Sequence, residues 1–124
     1  MKEPDIQERT YQFALRIVKL TSSLSKREGG RIIANQLLRS GTSIGTNVEE
    51  ADGSLTKAEF NHTISIAQRE AKEAKYWLRL ITDSGLVAET RISSILKECE
   101  EVIKILSAIL RNAKTQKKKS VSHE

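Results

Sequence analysis

The sequence predicts an all-α protein, an up-down-up-down antiparallel four-helix bundle. Three observations predict it. Apolar residues return at alternating spacings of four and three in four successive segments, the rhythm of a helix seam facing a partner. Helix start and stop signals fall between those segments, so the links are short. The composition agrees: 30% of the 124 residues are charged, 4% are aromatic and one is proline, a mixture rich in helix formers and poor in sheet formers. A chain of this length makes one domain whose core is not deep, which makes association between copies a live expectation.

The first helix is expected over about 5–24, with its seam at Ile6, Thr10, Phe13, Ile17, Leu20 and Leu24 and a capping box at Asp5 and Glu8. The second is expected over about 26–52, started by Ser25 and Glu28 and carried by Ala34, Leu37, Gly41, Ile44, Val48 and Ala51. The third, over about 57–83, is capped by Thr56 and Glu59 and stopped by Gly85. Its seam is Phe60, Ile64, Ala67, Ala71, Ala74, Leu78 and Ile81, and it is roughly 40 Å long at ~1.5 Å per residue. The fourth, over about 89–113, follows Ile92, Leu96, Cys99, Ile103, Leu106, Leu110 and Ala113, and Ala88 is a poor cap for it. Residues 1–113 form the bundle, and 114–124 read as a basic, disordered tail.

Residues 40–47, SGTSIGTN, resemble a loop in composition, yet the apolar rhythm passes through them without losing phase. They therefore read as helix. Two interior glycines cost about 1 kcal/mol each relative to alanine, so something must offset them. Gly41 and Gly45, four apart on one face, would let another backbone approach closely. A Walker phosphate loop needs GxxxxGK[ST] after a strand. Here Thr46 and Asn47 follow Gly45, and no lysine comes before Lys57. A second row, Gln36, Ser40, Ser43, Asn47, Glu50 and Ser54, keeps the same spacing with short polar side chains. Elsewhere this protein covers its surface with Lys, Glu and Arg, so the row suits a tight polar contact between helices or subunits better than open solvent. Arg39 or another base is expected to pair with Glu50 or Glu73 there, because an unpaired carboxylate is costly to bury.

The run LLRSGTSIGTNVEEA resembles a motif, roughly QLRRSxxSIxxNIAEG, of the bacterial four-helix-bundle family encoded in intervening sequences of 23S ribosomal RNA. Gln36, Leu37, Arg39, Ser40, Ser43, Ile44, Asn47 and Glu50 stand at matching places; Val48 replaces isoleucine and Ala51 stands where glycine is common. Downstream, IAQREAKEAKYWL is similar to the family's A-x-x-S-x-x-E-x-x-x-x-L stretch through Ala67, Glu73 and Leu78, with Glu70 in place of serine. The resemblance runs from about Phe13 to Leu110. It implies a small helical bundle, ring-like homopentamers in some members, and no established biochemical activity for most. It also implies kinship with accessory proteins of diversity-generating retroelements, positively charged barrels that partner a reverse transcriptase and bind nucleic acid.

Enzyme chemistry finds little footing. His62 is the only histidine in the body and reads as a solvated surface residue; with Cys99 it falls short of the three or four ligands a zinc site needs. A helical ribonuclease with arginine four to six residues before histidine is excluded, since Thr56, Lys57 and Ala58 occupy those places. No catalytic, cofactor or metal residues are assigned. Cys99 lies in an apolar row and is expected to be buried. One cysteine, no secretion-type apolar segment and no run long enough to span a membrane fit the cytoplasm and no membrane partner.

Nucleic-acid binding has more support. The net charge is +5, of which +4 belongs to Arg111 onward and +1 to the rest. Arg9, Arg16, Lys19 and Lys26 follow one flank of the first helix, and Lys72, Lys75 and Arg79 one flank of the third. With Lys117, Lys118 and Lys119 these are the candidate contacts to RNA or DNA phosphates. Helix faces often carry such charges balanced by acids, here Glu70, Glu73, Glu98, Glu100 and Glu101. A near-neutral monomer is a weak binder, but a ring that repeats each patch sums the fields. The alternative is an assembly or adaptor protein that binds another protein. Trp77 lies just off the third seam with Leu80 and Ile66 and widens its apolar face, which either seals the core or forms a subunit interface.

Overall fold

A computed structural model describes residues 5–24, 26 and 28–122, with side-chain surroundings through Ala113. Four helices follow in order: α1 Ile6–Leu24, α2 Gly30–Asp52, α3 Lys57–Asp83 and α4 Glu89–Ser122. No strand occurs among the described residues. Consecutive helices pack antiparallel, α2 touches both α1 and α3, and α4 packs on α3 and closes more sparsely on α1. The result is an all-α four-helix bundle.

The helix starts follow from local hydrogen bonds. Asp5 Oδ1 accepts from the Glu8 backbone N–H at 2.8 Å. Thr56 caps α3 by accepting from the Glu59 N–H at 3.1 Å, while Glu59 reaches back to the Leu55 N–H. Gly85, at φ 77°, ends the α3 turn as its sequence position requires.

Two boundaries differ from expectation. The second helix begins at Gly30 rather than 26, and Ser25, its expected cap, lies outside the described residues. The chain instead turns through Gly29 at φ 79°. A Cβ on Gly30 would stand 2.5 Å from the Leu24 carbonyl oxygen, so the turn needs the pair of glycines to bring α2 back under the end of α1. The fourth helix runs to Ser122 instead of ending at 113. No glycine or proline follows Gly85, and lysine and glutamine propagate a helix well.

The core lies along the expected seams of α1, α2 and α3. Phe13, Ile17, Leu37, Ile44, Leu78 and Ile81 are fully buried at its centre. Ala67, Ala71 and Ala74 are equally buried and let α4 come close: the Cys99 thiol donates to the Ala71 carbonyl at 3.3 Å. On α4 the deepest row is Ile92, Ile95, Cys99, Val102 and Leu106, whereas Leu96, Ile103 and Leu110 of the expected seam are half-buried. The helix is turned by part of a residue step, because α1 and α3 meet it from different sides and share its wide apolar face.

Candidate functional site

Residues 40–52 are helical without interruption, and the two glycines of that stretch face α1. A Cβ on Gly41 would meet Ile17 Cγ1 and Cγ2 at 2.9 Å, and one on Gly45 would meet the Thr10 carbonyl oxygen at 3.5 Å. The close approach is therefore between α1 and α2 of one chain. The polar row beside them is satisfied locally. Ser43 Oγ donates to the Arg39 carbonyl at 2.6 Å, and Asn47 Nδ2 donates to the Ser43 carbonyl at 2.8 Å. Ser40, fully buried, donates to the Gln36 carbonyl at 3.0 Å. Within the chain these side chains bond their own helix rather than a neighbour.

Arg39 crosses from α2 to α3, where it pairs with both Glu70, at 3.1 Å, and Glu73. Desolvation works against its charge, but the two carboxylates outweigh it and hold its pKa above the ordinary value. Trp77 Nε1 donates to Glu73 Oε2 at 3.2 Å, and its ring meets Tyr76 edge-on with centroids 5.1 Å apart. Glu70, which replaces the resembling family's serine, is thus a second anchor for Arg39. Glu50 lies exposed three turns further along α2 and takes no part in the pair.

The expected basic flank of α1 is partly consumed by the fold. Arg9 donates two hydrogen bonds to Glu98 of α4, at 3.0 and 3.1 Å, and Arg16 donates to Ser94 Oγ at 2.9 Å. With Arg91 reaching Ser23 at 3.2 Å, these polar bridges fasten the sparse α1/α4 seam. Lys19 and Lys26 are exposed. Lys117, Lys118 and Lys119 lie outside the described side chains.

The flank of α3 is different. Gln68 Nε2 donates to Ser107 Oγ at 2.8 Å and marks the α3/α4 seam. From Gln68 the same side of α3 continues at Lys72, Lys75 and Arg79, at spacings of four, three and four. From Ser107 the same side of α4 runs back through Lys104, Glu100, Lys97 and Ser93 and forward to Arg111. Six bases therefore border one groove, with Glu100 as the acid in those rows and Glu101 paired to Lys104 at 3.6 Å. Lys97 and Lys104 were not expected here. Their spacing from Ser107 was visible in the sequence, but not which side of α4 would meet α3.

Cys99 is fully buried, and burial is the first cause of a thiol pKa pushed up to about 12. Burial thus favours the neutral thiol over the thiolate. Among the described residues no three His, Cys, Asp or Glu side chains stand together to hold a metal ion, and no helix is long and apolar enough to cross a membrane. His62 is exposed on α3.

The fold defines a small all-α four-helix-bundle protein with a basic groove between α3 and α4. The chain belongs to the 23S rRNA-intervening sequence protein family, whose model matches residues 2–108. It is similar to the crystal structure of a protein of unknown function from the S23 ribosomal protein family of Bacteroides thetaiotaomicron VPI-5482. The two share 34% identity and a TM-score of 0.82, over 86% of this chain and 98% of that one. No match was found among curated proteins.

Proposed function

We propose that the chain is a non-enzymatic, homo-oligomeric protein that binds nucleic acid, RNA foremost, along the α3/α4 groove. The observation that carries this reading is the double row of Lys72, Lys75, Arg79, Lys97, Lys104 and Arg111 against Glu100. An antiparallel pair of rows at helical spacing presents bases along a groove, a geometry for a phosphate backbone rather than for a small anion. Arg9 and Arg16 are engaged with α4 and leave this groove as the principal contact. The family's tie to ribosomal RNA makes RNA the nucleic acid to test first, and its pentameric members favour a pentamer. Cys99 as a buried free thiol suits a cytoplasmic setting.

The test is fluorescence anisotropy with a labelled single-stranded RNA of about 20 nucleotides between 50 and 200 mM salt. Binding should fall steeply, with a log–log slope of about −0.7 per phosphate neutralised. Lys72→Ala, Arg79→Ala and Lys104→Ala should each reduce that slope, and Lys19→Ala should not. No binding at 50 mM salt would favour the second reading, an adaptor that binds another protein. The exposed Tyr76 and Leu80 give that reading its support.

A further inference from the structure

The two rows that border the α3/α4 groove are in register. The Gln68–Ser107 hydrogen bond fixes the antiparallel helices against each other. Counting away from it, Lys72 lies level with Lys104, Lys75 with Glu100 and Arg79 with Lys97, each within a residue. Bases therefore face each other at two levels, seven residues or about 10 Å apart along each helix. Between those levels a base faces an acid. Lys72, Arg79, Lys97 and Lys104 are exposed and form the rims of the groove, whereas Lys75 and Glu100 are half-buried and form its floor. The charges of both floor residues act on the buried Cys99 thiol, which places them at the seam. Glu70, Glu73, Glu98 and Glu101 each hold a cation. Glu100 differs: it has no salt bridge or hydrogen bond to another described residue.

A carboxylate on the floor of a phosphate groove repels the phosphates that the rims attract. An ionised carboxylate only accepts hydrogen bonds, so what meets it there must be a donor. The donors of a nucleic acid are the N–H groups of its bases. We propose that Glu100 and Lys75 read a guanine splayed from a single strand whose phosphates lie on the two rim pairs. The proposal rests on the nucleic-acid reading of this groove and names its substrate class, unpaired guanine-bearing RNA. Guanine alone of the four RNA bases carries two adjacent donors, N1–H and N2–H, on its Watson–Crick edge, one for each carboxylate oxygen. Its O6 stands beside them and accepts from the Lys75 ammonium on the facing helix. Adenine and cytosine offer the carboxylate a single amino group, and uracil a single N–H. Base pairing hides that edge in a duplex, so an unpaired strand is the form that presents it. The rims supply position and affinity, and the floor supplies the sequence preference.

The test is fluorescence anisotropy of the full chain with labelled single-stranded RNAs of one length. Each is a uridine strand carrying guanosine, inosine, adenosine or cytidine at the same spaced positions. Inosine keeps N1–H and O6 and lacks only the N2 amino group. Wild type should bind the guanosine RNA about tenfold more tightly than the inosine RNA. The salt slopes of the two should be equal, because a base contact releases no counterions. Glu100→Gln should abolish the preference, with circular dichroism confirming helix content. The inosine exchange itself is made with wild-type protein and needs no variant. If no RNA binds in low salt, the nucleic-acid reading falls and takes this site with it. If the RNAs bind but wild type does not prefer guanosine, the groove stands and the guanine site is refuted. A Glu100→Gln protein that gains equally for every RNA and keeps the preference refutes it too, and marks Glu100 as a charge-balancing residue.

Discussion

Gly41 and Gly45 separate two effects that a sequence motif merges. Replacing either by alanine removes the helix penalty of glycine, a gain of about 1 kcal/mol. At Gly45 the new methyl finds its nearest neighbours, all at Thr10, between 3.5 and 3.7 Å, which is ordinary contact. Gly45→Ala should therefore stabilise by about 0.5–1 kcal/mol. At Gly41 the methyl falls 2.9 Å from two carbons of Ile17 and 3.3 Å from a third. Ile17 is fully buried and branched at Cβ, so its side chain is held in one rotamer and has no room to step aside. Overpacking of this kind costs about 1–3 kcal/mol, which exceeds the propensity gain. Gly41→Ala should lose up to about 2 kcal/mol net, and the two variants should differ by the overpacking cost of about 1–3 kcal/mol, since the propensity gain is common to both. Urea unfolding followed at 222 nm at one protein concentration measures both. Placing Gly41→Ala on an Ile17→Ala background should turn its loss into a gain, because the methyl then fills space that Ile17 left. Gly41→Ala as stable as Gly45→Ala would refute the close-packing account of the glycines.

Two further outcomes follow from the site. Arg39→Ala leaves Glu70 and Glu73 without their shared cation on adjacent turns of α3, and should cost about 1 kcal/mol, the scale of a partly exposed ion pair. Thermal melts in low and high salt should show that loss shrinking as salt rises. Cys99 has a folded pKa raised from 9.0 to about 12. The unfolded chain thus ionises first, and the stability the neutral thiol provides is complete below pH 9.0 and lost as pH rises toward 12. The melting temperature of wild type should fall more over that range than that of Cys99→Ala; equal slopes would place the thiol in contact with water.

The fold was legible where a segment carries its own boundary signals and one apolar seam. α3 has both, since Thr56 caps it, Gly85 stops it and a row of alanines and aliphatics marks its buried side. α2 hid its start, because the signal was not a polar cap but two glycines whose need arises from the Leu24 carbonyl above them. α4 hid its inward side. Ile92, Ile95, Leu96, Cys99, Val102, Ile103 and Leu106 contain two overlapping rows, and the placement of α1 and α3 chooses between them. The polar row of α2 was visible as polar, but hydroxyl and amide groups bond backward to carbonyls three or four residues away as readily as to a neighbour. Arg39 to Glu73 was legible as a pair. Arg9 to Glu98 was not, because the partners lie 89 residues apart and only the closed bundle joins them.

That last pairing bears on how a nearly neutral body can present a functional charge. Counting bases gives the α1 flank and the α3 flank equal standing, yet the bundle treats them differently. On α1, arginine meets a carboxylate and a serine across a thin seam, and its charge helps hold two helices together. On α3, the acids Glu70 and Glu73 turn toward α2 and take Arg39, which leaves Lys72, Lys75 and Arg79 on the opposite flank beside the bases of α4. The same helix thus sorts its signs onto two grooves. A local field depends on that sorting and not on the sum. That segregation cannot be read from a net charge of +5.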